Sequence, residues 1–574
     1  MTAPRGWRLY FTRAVYVGSL FGLVVTAWLI LLGSYTLEGP AALSRFGSAV
    51  FAVIAPVQLA MAIAFSALLT AAAVAQEKDR RTLELLLLSR LTNSELVLGK
   101  MLASMLTVLV LITAAAPLMV LLTLLGGVSH GQVLRVLGVT LAAAALAGSL
   151  GSMVALWREK TFQSLAATAI ALVLWLLLGE AVANGLFGTL ADLSPEDWAA
   201  GLSPFRAMGV ANRAAGSGTA EFAAVGGPAG LFMVLASAAA IGLNLLAILR
   251  VRAWNPTREL LPSSTNGAES TQGEEVDIHA APGPSRRVWD NPILWREVCT
   301  WAYGKKILFV RLGYLAVFAV CAIALFATDS TARRGGATPP EALPLVPLMV
   351  VSLVLVNALA VTSITNERDL KALDLLLVTD LSPKEIVYGK LGGIFFNSKE
   401  MLLLPLALAG FLWWQGALGN ENLLFVSVGL IVVNAFVAML GVHSGMTYLT
   451  SRSAVAVSLG TVLFLLLGVG VCMRMMVAFQ GSFFNQLQAF LAFMLGGGAG
   501  LFVALGYRNA SPAIGWATIP MPFASFFAIT SFLNGGYGSA FLVAAGMYGF
   551  ATAAMLVPAI SEFDVATGRT SAQD

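Results

Sequence analysis

The stretch EKDRRTLELLLLSRLTNSELVLGK, residues 77–100, contains nine charged residues and is flanked on both sides by long apolar runs. The stretch ERDLKALDLLLVTDLSPKEIVYGK, residues 367–390, aligns with it without a gap at an offset of 290, with eleven identities in twenty-four positions. We call these stretches the first and the second cassette. A charged segment that recurs in an apolar chain indicates an internal repeat in which each copy carries one cassette.

The composition around the cassettes is that of a membrane protein. The chain has 574 residues, of which 58% are hydrophobic and only 11% charged, and its mean hydropathy is +0.83. Soluble domains carry about 25% charged residues. The basic residues are dispersed between apolar segments, which argues against nucleic-acid binding. The three cysteines, Cys299, Cys321 and Cys472, lack the spacing of a metal site. We therefore predict an all-α polytopic membrane protein that binds no metal.

Apolar runs of about 20 residues, long enough to cross a bilayer, recur along both halves. The first begins near Ala14, lacks a small-residue cleavage site, and is therefore expected to remain as a span. The predicted spans lie near 14–34, 47–75, 101–125, 133–156, 163–187, 226–250, 307–327, 343–365, 392–415, 422–449, 453–473 and 538–560. This predicts about twelve transmembrane helices, arranged as two six-helix repeats in the same orientation.

The distribution of basic residues predicts the orientation. If the N-terminus is cytoplasmic, the inner segments up to residue 258 hold thirteen Lys and Arg, and the outer segments hold four. This asymmetry follows the positive-inside rule. We therefore expect a multi-pass protein of the cell (inner) membrane with a cytoplasmic N-terminus and two cytoplasmic cassettes.

The composition also suggests domain boundaries. We predict a first six-span repeat at 1–253, a disordered cytoplasmic linker rich in Pro, Gly, Ser and Glu at 254–288, an amphipathic interfacial helix at 289–306, a second six-span repeat at 307–562 and a C-terminal tail at 563–574. The interfacial helix starts with Asn291 and Pro292, a good cap and first position, and Trp295 and Arg296 are its expected anchors at the membrane interface.

Residues 483–507 do not fit the repeat. They are apolar enough to span, but the first half has nothing similar at that place. A thirteenth span would put the C-terminus outside, and the Gly-rich centre suits a re-entrant or outer-leaflet hairpin. The prediction therefore stays at twelve spans.

Each cassette has the pattern of a short amphipathic helix, a tight turn and the capped start of the next span. Apolar faces are formed by Leu83 and Leu87, and by Leu373 and Leu377. The pairs Glu77–Arg81 and Glu367–Lys371 are four residues apart and can support a helical turn. Capping boxes are predicted at Thr92 with Glu95 and at Ser382 with Glu385, the latter with Pro383 at the first helical position. Lys100 and Lys390 follow two turns later, within snorkelling reach of the inner interface.

This pattern, Glu-x-x-x-x-(Thr/Ala)-Leu-(Glu/Asp)-x-Leu-Leu followed by a turn and a Gly-Lys pair, resembles the signature of type-2 ABC transporter permeases. In that family it forms the coupling helix between the second and third of six spans, where the ATPase subunit docks. One departure is that the family often has glycine where this chain has Arg81 and Lys371. By this resemblance, the expected docking residues are Glu77, Arg81, Leu83, Glu84, Leu87, Glu367, Lys371, Leu373, Asp374 and Leu377.

The resemblance implies the membrane subunit of an ATP-driven exporter. The chain has no GxxxxGK[ST] loop, so ATP and Mg would bind to the partner and no cofactor to this chain. Two copies of a cytoplasmic ABC ATPase are the expected partners besides the lipid bilayer, and one chain would supply both permease halves.

Three other classes of function compete with this prediction. An ion-coupled secondary transporter usually needs ionisable groups near the midplane, where Glu180, Glu400 and His443 are the sparse candidates. A membrane enzyme would need a metal cluster or nucleophile motif, and the three histidines are scattered. A non-transporting scaffold for an ATPase has the same sequence features as a transporter.

Overall fold

The computed structural model describes residues 7–34, 40–80, 82–184, 194–213, 227–255, 288–300, 307–327, 344–478, 487–506, 511–561 and 563. These residues form α-helices and no strand, which confirms the predicted all-α class. Arg81, nearly all of the predicted linker and the predicted tail beyond Phe563 lie outside the described residues.

The first half has six long apolar helices and three short ones among its described residues. They are α1 (Trp7–Ser34), α2 (Pro40–Asp79), α3 (Thr82–Leu88), α4 (Asn93–Leu124), α5 (His130–Trp157), α6 (Thr161–Ala183), α7 (Pro195–Leu202), α8 (Pro204–Ala211) and α9 (Gly227–Trp254). The first cassette supplies α3 and the start of α4. We call this end of the bundle the cassette end and the opposite one the far end.

The second half repeats this order with additions. It comprises α10 (Pro292–Cys299), α11 (Ile307–Ala327), α12 (Leu345–Asp369), α13 (Ala372–Leu377), α14 (Pro383–Asn397), α15 (Lys399–Trp414), α16 (Asn420–Thr447), α17 (Ser451–Ala478), α18 (Leu487–Leu505), α19 (Pro512–Thr518), α20 (Met521–Leu533) and α21 (Tyr537–Ser561). The third span of this half is broken, because α14 and α15 meet at a bend of 53°.

Equivalent helices pack in the same way in the two halves. α2 lies against α5, and α12 lies against α16. At each crossing a glycine permits close approach: a Cβ on Gly151 would stand 2.4 Å from the Ala67 carbonyl oxygen, and one on Gly441 would stand 2.5 Å from the Ala360 Cβ. The two glycines are separated by the offset of the cassettes, so the repeat extends well beyond the cassettes themselves.

The number of candidate spans is higher than the predicted twelve. Thirteen helical segments of the described chain are long and apolar enough to cross a membrane, or fourteen if the bent pair α14–α15 is one span. The additional spans come from α18 and from α19 and α20 taken together. They form an antiparallel hairpin in which Phe490 near the start of α18 contacts Phe526 of α20, and Phe502 near its end faces Gly515 of α19.

The α18 helix runs through the full depth of the bundle rather than re-entering from one side. At its end, the Leu505 carbonyl oxygen is 2.8 Å from His443 Nε2, and the Ala504 carbonyl accepts a hydrogen bond from the Tyr448 hydroxyl at 2.7 Å. Both partners lie at the cassette end of α16. Because α19 and α20 return to the far end, α21 still ends beside the second cassette, where Phe563 packs against Ile386. The added hairpin therefore preserves the side on which the chain ends.

The halves meet along spans of both repeats. α6 of the first half packs against α11 and α12, and α17 of the second half packs against α2. The inserted α18 lies against α1. The larger hydrophobic core is continuous across this seam and surrounds α12, whose residues 355–361 are all buried.

Candidate functional site

The short helices α3 and α13 each carry exposed apolar side chains, and these lie at equivalent positions of the two cassettes. The exposed residues are Leu85 and Leu88 in α3 and Leu375 and Val378 at the end of α13, each at least 68% exposed. The two pairs occupy equivalent positions of the cassettes. Beside them, Glu84 and Asp374 are also exposed. This surface could have been found from the sequence, because the same two apolar positions next to an acid recur at the 290-residue offset of the cassettes.

The leucines predicted to dock a partner do not lie on this exposed face but pack toward the protein's own core. Leu83 and Leu87 are 3% and 5% exposed and belong to the core that also contains Ala247 and Val251 of α9. Leu373 and Leu377 are half-buried, and Leu377 packs against a cluster with Ile386. The period of the leucines places one face of each helix against this chain's own core, because a short helix tied to two spans must bury an apolar face locally. The exposed surface is therefore the neighbouring face.

Capping boxes begin the helix after each turn. The Glu95 backbone N–H donates to Thr92 Oγ1 at 3.3 Å, and the Thr92 N–H donates to Glu95 Oε2 at 2.9 Å. The corresponding bonds between Ser382 and Glu385 measure 3.3 and 2.8 Å, with Pro383 at the first helical position. These reciprocal bonds satisfy two free N–H groups at each helix start and fix the turn geometry in both cassettes.

A basic residue at the end of each second span ties it to the end of another helix. The Lys78 ammonium donates to the Arg158 carbonyl at 2.8 Å and to the Leu156 carbonyl at the end of α5. Arg368 donates to the Gly445 and Tyr448 carbonyls at the end of α16. Cations stabilise helix C-termini, where carbonyl oxygens lack intrahelical partners. These contacts anchor the base of each cassette.

An aspartate follows each of these basic residues, Asp79 after Lys78 and Asp369 after Arg368. Each aspartate joins the second span to the fifth span of the same half. Asp79 accepts a hydrogen bond from the Thr161 hydroxyl, and Asp369 accepts one from the Ser451 hydroxyl at 2.5 Å. Arg80 then crosses the seam between the halves and pairs with Asp369 at 3.4 Å. The bases of the two cassettes are thus connected to each other as well as to the spans.

Lys100 and Lys390, predicted to snorkel to the inner membrane interface, both form ion pairs within the chain. Lys100 pairs with Glu77, and Lys390 pairs at 2.6 Å with both Glu367 and Glu297. Lys390 is only 2% exposed, whereas Lys100 is 35% exposed. The acids lie on facing helices close to each ammonium, which accounts for these ion pairs.

The difference between these lysines arises from α10, which packs across α14. Its buried face consists of Ile293 and Glu297, while Trp295 is half-buried. Arg296, predicted as an anchor at the membrane interface, pairs with Glu367. The close packing depends on small residues, since a Cβ on Gly393 would stand 2.4 Å from the Glu297 Cβ. An acid at a buried position of a short amphipathic helix gives no sequence signal, so Glu297 was missed.

The predicted pair Glu367–Lys371, four residues apart, is replaced by longer-range contacts. α12 ends at Asp369 and Lys371 has a left-handed backbone with φ of 57°, so Glu367 and Lys371 do not share a helix. Glu367 binds Lys390 and Arg296 instead. In the first cassette Glu77 binds Lys100, and its predicted partner Arg81 lies outside the described residues.

The ionisable residues considered for an ion-coupled transporter all have partners within the fold. Glu180 accepts two hydrogen bonds from Arg206, at 3.0 and 2.6 Å, which tie α6 to the far-end helix α8. The Glu400 carboxylate is 3.3 Å from the Arg311 guanidinium. His443 contacts the Leu505 carbonyl. These contacts connect helices, and no acid–histidine–cysteine group that could hold a metal occurs in the described part of the chain.

The arrangement provides two similar surfaces at one end of a membrane-spanning bundle, each anchored at its base to other spans. Each surface joins the second and third spans of its half and is anchored to the fourth and the fifth. A force applied to α3 or α13 therefore reaches four spans. This geometry suits mechanical coupling better than chemistry on a bound molecule.

Comparison with known proteins identifies the family. The family model described as ABC-2 family transporter protein matches residues 36–328, slightly more than half of the chain. No curated protein and no solved structure matches the chain. The matched segment contains the first cassette and the spans on either side of it. The chain therefore belongs to the ABC-2 transporter family and is a multi-pass membrane subunit of an ABC transporter.

Proposed function

We propose that this chain is the permease of an ATP-driven exporter and that two cytoplasmic ATPases, supplied as separate proteins, dock on α3 and α13. The observation that carries the proposal is the matched pair of exposed surfaces, Leu85–Leu88 with Glu84 and Leu375–Val378 with Asp374. Adjacent exposed apolar side chains on a helix outside the bilayer are typical of a surface that a partner covers. ATP and Mg would be held by that partner.

The anchors at the cassette base support a role in transmitting motion. Lys78 and Asp79 fasten the first cassette to the ends of α5 and α6, and Arg368 and Asp369 fasten the second to α16 and α17. When the two ATPases close on ATP, they would shift both cassettes together with these spans. The Arg80–Asp369 pair lies where the bases of the cassettes would then have to move relative to each other. The resemblance to type-2 permeases supports export as the direction.

Charge reversal at the exposed acids tests the docking. The double variant Glu84→Lys with Asp374→Lys should lose its ATPase during purification, because breaking a desolvated interfacial charge pair costs about 2–5 kcal/mol. The matched control is Glu421→Lys, which reverses an exposed acid in the first turn of α16 at the far end. The measurement is the amount of co-purified ATPase and its hydrolysis rate. If the double variant retains both at the level of the control, α3 and α13 are not the docking sites.

The proposal also requires the cassettes to face the cytoplasm. In a chain whose native cysteines are replaced by alanine, single cysteines at Ser94 in the first cassette and at Ser270 should resist an impermeant thiol reagent added to intact cells. A cysteine at the exposed far-end residue Gln415 is the matched control and should react. Reaction at Ser94 together with protection at Gln415 would invert the orientation and rule out docking from the cytoplasm.

A further inference from the structure

A small apolar cavity lies between α17, α18 and α20, in the part of the second half that has no counterpart in the first. Its volume is about 60 Å³, several times the roughly 10–15 Å³ that a cavity needs to hold one water molecule. The lining is dominated by aromatic and sulfur-containing side chains, namely Phe464, Cys472, Phe490, Phe493, Met494 and Phe526. None of the lining residues in the described part of the chain is charged. Cavities of this kind stay dry and accept apolar guests.

The cavity extends along the bundle from mid-depth toward the far end. Phe464 and Cys472 are separated by eight positions of α17, or about 12 Å along the helix. Phe490 and Phe526 line its far-end part. Phe464 is 41% exposed, so the cavity is accessible from outside the core. At this depth the surroundings of a membrane protein are hydrocarbon chains.

Two glycines keep the space open. A Cβ on Gly468 would meet no atom within 4 Å, and one on Gly497 would make only ordinary contacts, the closest at 3.4 Å from Phe464. The position of α6 equivalent to Gly468, at the cassette offset, is Leu178. The first half therefore has a bulky side chain at the sequence position where the second half has Gly468.

The contact between the two halves is also asymmetric near the cavity. On one side of the molecule α6 packs directly against α11, whereas on the other side α1 packs against the inserted α18. Residues of α17, α18 and α20 around the cavity share a hydrophobic core with α1 and α2. A guest in the cavity would therefore lie next to the contact between the halves.

We propose that this cavity binds the end of an acyl chain of a membrane lipid at the α1–α18 side of the seam. The apolar lining selects hydrocarbon, the depth places the site within reach of a chain from the far-side leaflet, and the volume admits the last groups of a single chain. The site is independent of ATPase docking and would persist if the proposed function failed.

Photolabelling tests this site on the full-length protein. The probe is a phosphatidylcholine with a diazirine near the end of one acyl chain, incorporated in nanodiscs, and the readout is mass spectrometry of labelled peptides. We expect label concentrated between Phe464 and Cys472 and between Phe490 and Gly497. Gly468→Leu installs the first-half residue and should reduce this label about tenfold, the loss expected when roughly two CH₂ groups lose their burial. Gly497→Leu should act in the same way.

Glycines that face away from the cavity provide matched controls. Gly470→Leu in α17 and Gly500→Leu in α18 add the same side chain at exposed positions where a Cβ meets nothing within 4 Å, and both should label like the parent protein. Thermal unfolding of each variant verifies folding. Label spread evenly over lipid-facing helices such as α9, or label unchanged in a folded Gly468→Leu protein, would overturn the proposal. A Gly468→Leu protein with unchanged label and higher stability would show the cavity to be a packing gap only.

Discussion

At the residue scale, Lys371 has the one positive φ angle found among non-glycine residues of the described chain, 57°. Its backbone N–H bonds the Arg368 carbonyl at 3.0 Å, which closes the end of α12 before α13 begins. This left-handed geometry favours glycine because a Cβ is crowded there. It gives a physical reason for the glycine that type-2 permeases often have at this position.

The strain at Lys371 leads to a stability prediction. Lys371→Gly should raise the free energy of unfolding by about 1 kcal/mol, because relief of the left-handed strain exceeds the added entropy of glycine in the unfolded chain. Lys371→Ala keeps the Cβ and should show no such gain. Thermal unfolding in detergent compares the two. A glycine variant no more stable than the alanine variant would mean that this turn is unstrained.

The two cassette lysines permit a second comparison at this scale. Lys390→Met leaves the buried acids Glu297 and Glu367 without the ammonium between them, and breaking a buried ion pair from one side costs about 3–5 kcal/mol. Lys100→Met breaks a single pair that is partly exposed and should cost about 1 kcal/mol or less. Unfolding temperatures and yields of the two variants provide the measurement. Equal losses would show that α10 adds nothing to the second cassette.

At the element scale, the two cassette helices are held differently. α3 buries Leu83 and Leu87 and is braced by Arg252, which donates to the Leu87 carbonyl at 3.2 Å and to Asn93 Oδ1 at 2.8 Å. α13 buries no residue completely and follows the strained Lys371. The second cassette depends instead on α10 and its ion pairs.

This contrast predicts different local stabilities. Backbone amides of α13 should exchange with deuterium faster than those of α3, because local opening is easier where few apolar contacts are lost. Arg252→Ala should raise the exchange of α3 toward that of α13 and leave α13 unchanged. The starts of α4 and α14, which share the same capping box, serve as internal references in hydrogen-exchange mass spectrometry. Slower exchange in α13 than in α3 would contradict this account.

The sequence allowed the elements to be predicted better than their contacts. The repeat, the cassette pattern and the caps at Thr92 and Ser382 depend on local chemistry and spacing, and the structure contains all of them. The inward direction of Leu83 was missed because an apolar face that packs on its own core resembles one that docks a partner. The depth of α18 was missed because the glycines at its centre suggested a break, whereas Gly498 instead permits close approach to the Ile519 carbonyl.

At the scale of the whole molecule, the pseudo-symmetric halves are joined along several spans. The seam includes α6 against α11 and α12, and α17 against α2, and it is closed at the cassette end by Arg80 and Asp369. The symmetry is broken by α10 and by the hairpin of α18 to α20. The two cassettes therefore have similar exposed surfaces, but they are held in place by different contacts.

Because the two halves belong to one chain, the structure predicts how many permease chains and ATPases the complex contains. Because one chain supplies two cassettes on one closed bundle, a single permease chain should bind two ATPases, and native mass spectrometry should find this ratio. Glu84→Lys alone and Asp374→Lys alone should each leave one ATPase bound, since the two surfaces are separate, and the double variant should leave none. The Glu421→Lys control should keep both. Two permease chains in the complex, or loss of both ATPases from either single variant, would show that docking requires more than one matched surface per half.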